Sequence, residues 1–293
     1  MDNLSSSTHA VVPSSNSLLR VMRRHPLACY FLLAYGFSWL GWLPYVLSQN
    51  GLGLLPFHPS QFIVLLGGFL GPCLSGFIMA AVTEGKSGVR HLLRRLILWQ
   101  VGWRWYLFAL IGFPAMLVLG SLPLPGVVGT LRVPSLQFVL AFLVLLVLQL
   151  FQSALAEEPG WRGFALPRLQ QHYGPLLGAL ILGLLWGGWH LPLFLTTWAI
   201  FGANLLTICE FVLETISLSI VITWVFNHTR QSLFMAILLH ACVDAFGFAA
   251  VMTGGLLPMP ILLKSAYLAT VIGAGAVALL LIIVTRGRLG FSH

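Results

Sequence analysis

The acidic residues of this chain lie where a charge is costly. Of its seven Asp and Glu residues, five fall in or beside long apolar stretches. These five are Glu157, Glu158, Glu210, Glu214 and Asp244. A charged side chain at the centre of a bilayer costs about 3 kcal/mol on insertion scales, so acids in such places are candidates for function. The alternative is that each acid ends a helix and reaches headgroup water.

Three short motifs place these acids beside other polar side chains. The motifs are EEPGWRG with Glu157, Glu158 and Arg162, WGGWH with Trp186 and His190, and HACVD with His240 and Asp244. On a helix, Glu158 and Arg162 are four residues apart and can form an ion pair. Glu157 then points to another side of the helix and is free to act in chemistry. His240 and Asp244 have the same spacing, so both side chains point to one face of their helix.

Helix geometry indicates that the first two motifs meet. If the chain turns near Gly174, Glu157 lies 17 residues before the turn and His190 lies 16 residues after it. At 1.5 Å per residue both lie about 25 Å from the turn, so an antiparallel hairpin brings them to the same depth. His240 lies only about ten residues past the turn at 228–231. His240 therefore lies at the depth of Glu157 and His190 only if one helical hairpin protrudes farther than the other.

Two His, a Glu and an Asp in a water-accessible chamber support two kinds of chemistry. They could hold a divalent metal with an open position, where bound water becomes nucleophilic near neutral pH. They could instead work without a metal, with a carboxylate as general base on water and His side chains that stabilise the oxyanion. Both routes end in hydrolysis, and the residues alone leave both open.

The elements that must position these residues are membrane-spanning helices. Hydrophobic residues make up 58% of the 293 residues and charged residues 8%, and the mean hydropathy is +0.94. An average soluble domain carries about 25% charged residues, so a water-soluble globular protein is excluded. Continuous uncharged runs predict an all-α polytopic membrane protein with eight spans rather than a β-barrel. The predicted spans are about 27–47, 61–83, 105–122, 136–170 (membrane part to about 160), 175–197, 205–226, 232–250 and 266–285.

Eight spans place both termini on one side of the membrane. With the N-terminus inside, 13 of the 15 Lys and Arg residues fall in cytoplasmic segments, and Arg132 and Lys264 fall outside. This distribution follows the positive-inside rule and predicts that both termini are cytoplasmic. Residues 1–19 are poor in apolar residues and are predicted to be a disordered cytoplasmic tail. Residues 20–293 then form a single transmembrane domain.

A basic stretch lies between the second and third spans, with the sequence GKSGVRHLLRRLILWQVGWRWY. Apolar and basic residues recur in it at helical spacing: Leu92, Leu93, Leu96 and Ile97 against Arg90, Arg94 and Arg95. This pattern predicts a helix that lies in the interface of an anionic cytoplasmic leaflet.

The lipid bilayer, rather than nucleic acid, is the partner that the charge distribution indicates. The net charge is +8, but the cations lie between hydrophobic spans, and no basic stretch is interleaved with stacking aromatic residues. The four cysteines fall in apolar spans without CxxC spacing, so neither a zinc ribbon nor a disulfide framework is indicated.

As an ordered set, the three motifs resemble the CAAX protease and bacteriocin-processing (Abi) family, which includes the type II CAAX prenyl endopeptidases. The matching pattern is EExxxR, then an aromatic residue four positions before His190, then His-xxx-Asn/Asp from His240. The resemblance covers about residues 85–250. It implies an eight-helix intramembrane protease fold whose site opens to the cytoplasm and the bilayer.

The resemblance also implies roles for the motif residues. Glu157 would be the general base, and His190 would position and activate the water. His240 and Asp244 would bind the oxyanion or a metal, and the pair Glu158 and Arg162 would organise the site or the substrate. The family is classed with metalloproteases, although a metal-free glutamate mechanism is also argued for it. If a metal is bound, the resemblance implies Zn²⁺, with the candidate ligands Glu157, His190, His240 and Asp244.

One residue departs from the family pattern. The prenyl endopeptidases have Asn where this chain has Asp244, and an ionised carboxylate cannot donate a hydrogen bond to an oxyanion. Asp244 is therefore protonated, or it orients His240, or it ligates a metal. Glu210 and Glu214 have no counterpart in the motifs, and they either line the chamber or approach the outer interface.

The expected function is that of an intramembrane endopeptidase that hydrolyses a peptide bond near the cytoplasmic membrane face. A CAAX-type prenylated protein or another membrane-associated peptide is the implied substrate, and a bacterial inner membrane is the implied location. Two alternatives come from other classes. A scaffold, immunity or regulatory protein could keep the fold without catalysis, and a transporter could use the buried acids as a relay, although no inverted repeat is evident.

Overall fold

The computed structural model describes residues 15–291 of the chain. Residues 1–14 of the predicted disordered tail lie outside the described residues. Residues 15–19, which complete that predicted tail, belong to a helix, α1 (Ser15–Arg24). Arg23 and Arg24 occupy its last turn, where positive charge complements the helix dipole.

Eight further helices are long and apolar enough to cross a membrane. They are α2 (Pro26–Leu47), α3 (Phe62–Leu96), α4 (Trp103–Ser121), α5 (Leu136–Tyr173), α6 (Pro175–Leu195), α7 (Leu205–His228), α8 (Leu233–Thr253) and α9 (Met259–Thr285). Residues 15–291 contain no strand, and the predicted all-α fold with eight spans is confirmed for this part of the chain. Two bounds differ most: α3 continues to Leu96 rather than ending near residue 83, and α9 begins at Met259 rather than near residue 266.

Successive helices run in opposite directions between the two ends of the bundle. Hydrogen bonds between loops show which loops share an end. The basic end holds the turns at 96–103, 173–175 and 228–233. There the Arg230 guanidinium donates to the carbonyl of Gln100, and the Ser232 hydroxyl donates to the carbonyl of Leu98 at 2.6 Å. The opposite end holds the loops at 47–62, 121–136, 195–205 and 253–259. There the N–H of Thr197 donates to the carbonyl of Asn50 at 2.7 Å.

The predicted interfacial helix is the last part of α3, and one of its arginines lies elsewhere than expected. A kink at Gly85, with φ of 66° and ψ of −150°, turns the helix before this segment. Leu93 and Ile97 are exposed, as an interfacial helix requires. Arg95, however, is buried and donates to the carbonyls of Arg162, Gly163 and Gln231 at 3.2, 3.0 and 2.9 Å. Its guanidinium satisfies backbone groups inside the protein instead of facing lipid headgroups.

Helices α6 and α7 pack closely together just before His190. This contact fixes the depth of His190 in the bundle. A Cβ added to Gly183 would lie 2.5 Å from the Cα of Ile216, and one added to Gly187 would lie 2.5 Å from Oγ1 of Thr215. The Thr215 hydroxyl also donates to the carbonyl of Gly183 at 3.1 Å. Such contacts between backbones are the usual role of small residues in membrane helices.

Candidate active site

Helix α5 is irregular where it carries the first motif. π-helical turns at Leu150–Ala154 and Pro159–Ala165 flank a single α-helical turn, Leu155–Glu158. Such π-helical turns occur frequently at functional sites, because the added residue changes the direction in which side chains point. Here Glu157 lines a chamber, whereas Glu158 is fully buried away from it. The predicted divergence of the two glutamates is thus observed.

The chamber is a cavity of about 460 Å³ that receives side chains from all three motifs. Glu157, Trp186, His190, His240 and Asp244 all line it. The helical hairpin of α5 and α6 therefore brings Glu157 and His190 together, as the spacing predicted. His240 joins them from α8. The bond from His240 to Glu158 places the two residues at one depth, although His240 is nearer in sequence to its turn than Glu158 is, so the helical hairpins extend unequally as assumed.

Trp186 connects the first two motifs. Its indole Nε1–H donates to Oε2 of Glu157 at 2.6 Å. Its backbone carbonyl lies 2.9 Å from Nδ1 of His190, and since a carbonyl only accepts, Nδ1 carries the proton. In the neutral imidazole the lone pair is therefore on Nε2. The sequence identified Trp186 only as the aromatic residue of a motif and gave no signal of these two bonds.

Glu158 connects the first and third motifs. Its Oε1 accepts from Nη1 of Arg162 and from Nδ1 of His240, each at 2.8 Å. The predicted pair of Glu158 and Arg162 is observed, and both side chains are fully buried. The bond to His240 was missed, because the two residues are far apart in sequence. It fixes the orientation of the His240 ring, so that Nε2 is the nitrogen on the side of Asp244.

Arg162 also contacts the second motif. Its guanidinium carbon lies 4.4 Å from the ring centroid of Trp186, within the range of a cation–π interaction. A buried arginine is tolerated only when its charge is compensated, and here Glu158 and the Trp186 ring provide that compensation. That Glu158 and Arg162 organise the site or the substrate stays a prediction.

Asp244 faces His240 and a serine that the sequence did not single out. Oδ2 of Asp244 lies 3.6 Å from Nε2 of His240. The same oxygen is bonded to the hydroxyl of Ser153, which also lies 3.0 Å from Oε1 of Gln149. A hydroxyl has a single hydrogen, so it donates to one of these oxygens at a time. At 3.6 Å Asp244 is within ion-pair range of His240 but beyond hydrogen-bond distance, so Glu158 rather than Asp244 fixes the His240 ring.

The side chains as placed do not fit a metal ion. A catalytic zinc site takes about three protein ligands whose lone pairs converge on one point. Within residues 15–291 no group of three or more His, Cys, Asp or Glu side chains has such an arrangement. The bonds at Nδ1 of His190 and of His240 leave both Nε2 atoms free to bind a metal, so the misfit lies in the spacing of the groups rather than in their hydrogen bonds. The candidate ligands Glu157, His190, His240 and Asp244 share a chamber, but their geometry does not support a step through Zn²⁺.

The two unassigned glutamates of α7 have different surroundings. Glu214 is buried in the chamber wall, and its Oε2 has no hydrogen-bond partner among the described residues. Glu210 is half-buried and lines neither the chamber nor the apolar cavity beside it. Glu214 therefore belongs to the chamber, whereas Glu210 does not.

A second, apolar cavity of about 280 Å³ adjoins the chamber. The two cavities share Gln61, Trp198, Phe211, Glu214, Val243, Asp244 and Phe248. No Lys or Arg among the described residues lines either cavity. The combined space thus has polar groups near Glu157, among them the acids Glu214 and Asp244, and an apolar extension that can accept hydrocarbon.

Comparison with known proteins confirms the resemblance that the motifs indicated. Residues 135–246 match the family model of the type II CAAX prenyl endopeptidase Rce1-like proteins. This segment contains all seven motif residues, from Glu157 to Asp244. The match therefore covers the helices that carry the motifs, whereas residues of α2 and α3 that also line the chamber lie outside it.

One curated relative matches over a longer part of the chain. CAAX prenyl protease 2 of Methanococcus maripaludis is 24% identical over 229 residues. The aligned region covers 73% of this chain and 81% of the relative. The likeness thus extends beyond the motif helices to most of the transmembrane domain. The chain is an integral membrane protein, and over residues 135–246 it is similar to the Rce1-like proteins.

Proposed function

We propose that this protein is an intramembrane endopeptidase that hydrolyses a peptide bond of a membrane-associated substrate with a water molecule activated by Glu157. The observation that carries the proposal is the bond from Trp186 to Glu157 inside a chamber shared with His190 and His240. CAAX-type prenylated peptides are the first substrates to test, because the family and the curated relative are named for them.

The Glu157 carboxylate is arranged to act as a general base. Trp186 holds Oε2, which leaves Oε1 available to a water molecule in the chamber. Nε2 of neutral His190 accepts a hydrogen bond from the same water and so helps to orient it. Glu157 takes one proton while the water oxygen attacks the carbonyl carbon of the peptide bond. General-base catalysis of this kind contributes about 10² to 10⁴ in rate.

The tetrahedral intermediate needs a donor for its oxyanion, and His240 is the candidate. Glu158 accepts from Nδ1, so the imidazolium form of His240 has an Nε2–H to donate. Asp244 lies beside this nitrogen and balances the charge. Protonated Glu157 then gives its proton to the leaving nitrogen, and the C–N bond breaks. The products are a new carboxyl terminus and a free amine, so one water is consumed for each bond.

The test is cleavage of a farnesylated CAAX-type fluorogenic peptide by the purified protein in detergent. Glu157→Gln keeps the size of the side chain and removes the base, so we expect cleavage to fall by a factor of about 10³. Glu210→Gln is the matched control, since Glu210 lies outside the chamber, and it should cleave at the wild-type rate. Equal cleavage by Glu157→Gln and wild type would refute the proposal.

A chelator provides the parallel test of the metal route. The geometry of the side chains predicts that cleavage persists after treatment with a zinc chelator. Loss of cleavage with the chelator, and its return with added Zn²⁺, would show that the ligands rearrange around a metal. Absence of cleavage by the wild-type protein with several prenylated and unmodified peptides would instead favour a scaffold of the same fold.

A further inference from the structure

A third cavity, which we name the basic-end cavity, lies apart from the chamber and its apolar neighbour. Its volume is about 350 Å³, within the range of about 300–1,000 Å³ that is usual for small-molecule sites. None of its lining residues lines either of the other cavities, and all but Gln231 belong to α3 or α5. Glu84, His91 and Gln171 are exposed in its lining, so it opens to the protein surface. The proposed hydrolysis at Glu157 makes no use of it.

Two arginines line this cavity, and both are held in place by backbone carbonyls of α5. Arg95 is buried and donates to three carbonyls, two of which belong to residues 162–163. Arg168 is partly buried and donates to the carbonyl of Phe164 at 2.9 Å. Its guanidinium carbon also lies 3.8 Å from the centroid of the Phe164 ring. Three consecutive residues of α5 thus hold both guanidinium groups against one space.

Both guanidinium groups keep donors for a ligand. A guanidinium carries five N–H groups. Arg95 uses three of them, so one N–H on each terminal nitrogen has no hydrogen-bond partner among the described residues. Arg168 also uses three, for bonds to Phe164, Thr83 and Glu84. Buried donors without partners are unfavourable, so this space favours a ligand that accepts hydrogen bonds.

The charge of the lining favours an anion. Among the described lining residues Glu84 is the one acid, against Arg95 and Arg168. Glu84 is about half exposed and pairs with Arg168, and an exposed pair of this kind contributes little. Arg95 has no carboxylate within ion-pair distance among the residues that the structure describes. The ring of Phe226, 5.0 Å from its guanidinium carbon, compensates this charge only in part.

The cavity lies at the depth of lipid headgroups. Leu93 and Ile97 are exposed on the segment that carries Arg95, as in a helix at the membrane interface. Trp99 and Trp103 follow this segment, and both are largely exposed. Exposed tryptophans are enriched at the boundary between hydrocarbon and water. The phosphate of a neighbouring lipid is therefore within reach of the cavity.

We propose that the basic-end cavity binds a phosphate group between Arg95 and Arg168, either from the headgroup of an anionic phospholipid or as free phosphate. Arginine suits this ligand because its planar N–H groups match two phosphate oxygens at once. The side-chain amides of Gln171 and Gln231 supply further donors in the lining. Such a site differs from general attraction to a basic helix, because the phosphate has to enter the cavity to reach buried Arg95. It does not depend on the proposed protease function.

The test is binding to the purified protein in a non-ionic detergent and a phosphate-free chloride buffer. Native mass spectrometry measures retained phosphatidylglycerol, and calorimetry measures inorganic phosphate. We expect saturable binding of phosphatidylglycerol, inorganic phosphate or both. Binding of the lipid alone identifies a headgroup as the ligand, and binding of inorganic phosphate alone identifies the free ion. Saturable binding of neither would overturn the proposal, as would equal retention of phosphatidylcholine, which has no net charge.

Three substitutions give expected changes of different size and sign. Arg168→Gln removes a positive charge and phosphate donors from the cavity, so we expect the Kd to rise about tenfold or more. Glu84→Gln removes the competing carboxylate, so the Kd should fall about twofold to fivefold. Arg94→Gln is the matched control, because Arg94 is exposed on the same segment of α3 but does not line the cavity. It should change the Kd by less than about twofold.

Equal weakening by Arg168→Gln and Arg94→Gln would overturn the proposal, because it would show a general attraction to positive charge. Weaker binding by Glu84→Gln would also overturn it. This variant keeps the test decisive if Arg168→Gln folds poorly, since damage to the fold does not increase affinity. Thermal unfolding of each variant shows which of them are folded. No reading depends on catalysis, so a failure of the protease proposal is recognised separately in the peptide assay.

Discussion

Hydrogen bonds from other motif residues orient three candidate catalytic side chains in the chamber: Glu157, His190 and His240. Trp186 holds Glu157 and His190, and Glu158 holds His240. The motifs predicted the pair of Glu158 and Arg162, because four-residue spacing on a helix determines such contacts locally. The bonds between helices could not be predicted in this way. They depend on the rotation of α5, α6 and α8 about their axes, which the π-helical turns of α5 change.

Trp186 provides a test of positioning at the residue scale. Trp186→Phe removes the N–H that bonds Glu157 but keeps an aromatic ring for Arg162. A hydrogen bond to a charged group is worth about 1.5–3 kcal/mol, so we expect kcat to fall by about tenfold to a hundredfold. KM should change little, because the bond orients the base rather than the substrate. Steady-state kinetics with the fluorogenic peptide measure both constants.

Trp189→Phe is the matched control for this variant. Trp189 is buried in the same helix, and its indole nitrogen has no hydrogen-bond partner among the described residues. Its replacement should therefore leave kcat closer to the wild-type value. An equal fall in kcat for both variants, with equal losses of thermal stability, would mean that Trp186 acts only through packing.

At the scale of the element, α5 determines the geometry of the site. An uninterrupted α-helix would bond each carbonyl to the N–H four residues later, but a π-helical turn leaves carbonyls that need other donors. Arg95 supplies donors to two of them, at Arg162 and Gly163. The sequence predicted that Arg95 faces the lipid headgroups. Amphipathic spacing alone does not show that one residue of the polar face contacts carbonyls of a neighbouring helix.

Arg95 accordingly provides a stability test. Arg95→Leu removes three bonds to backbone carbonyls and leaves these acceptors buried, so we expect the free energy of unfolding to fall by about 3 kcal/mol. Arg94→Leu removes an exposed arginine from the same segment and should cost less than about 0.5 kcal/mol. Thermal unfolding in one detergent measures both changes. Equal stability of the two variants would show that the bonds of Arg95 do not stabilise the segment Pro159–Ala165.

For the whole molecule, apolar length and the alternation of basic loops predicted the eight spans, because the thickness of the bilayer imposes both features on any helical membrane protein. The approximate depth of Glu157 and His190 followed from the hairpin of α5 and α6. The position of the apolar cavity beside the chamber did not follow. It depends on how side chains fill the bundle, and hydropathy gives no information about that packing.

The most direct test of the central claim is hydrolysis in water enriched in ¹⁸O, with the cleaved peptide analysed by mass spectrometry. If Glu157 activates water for direct attack, a single turnover places one ¹⁸O atom in the new carboxyl group, and Glu157→Gln forms almost no product over the same time. Product formed by Glu157→Gln at the wild-type rate, with the same incorporation of ¹⁸O, would contradict the account.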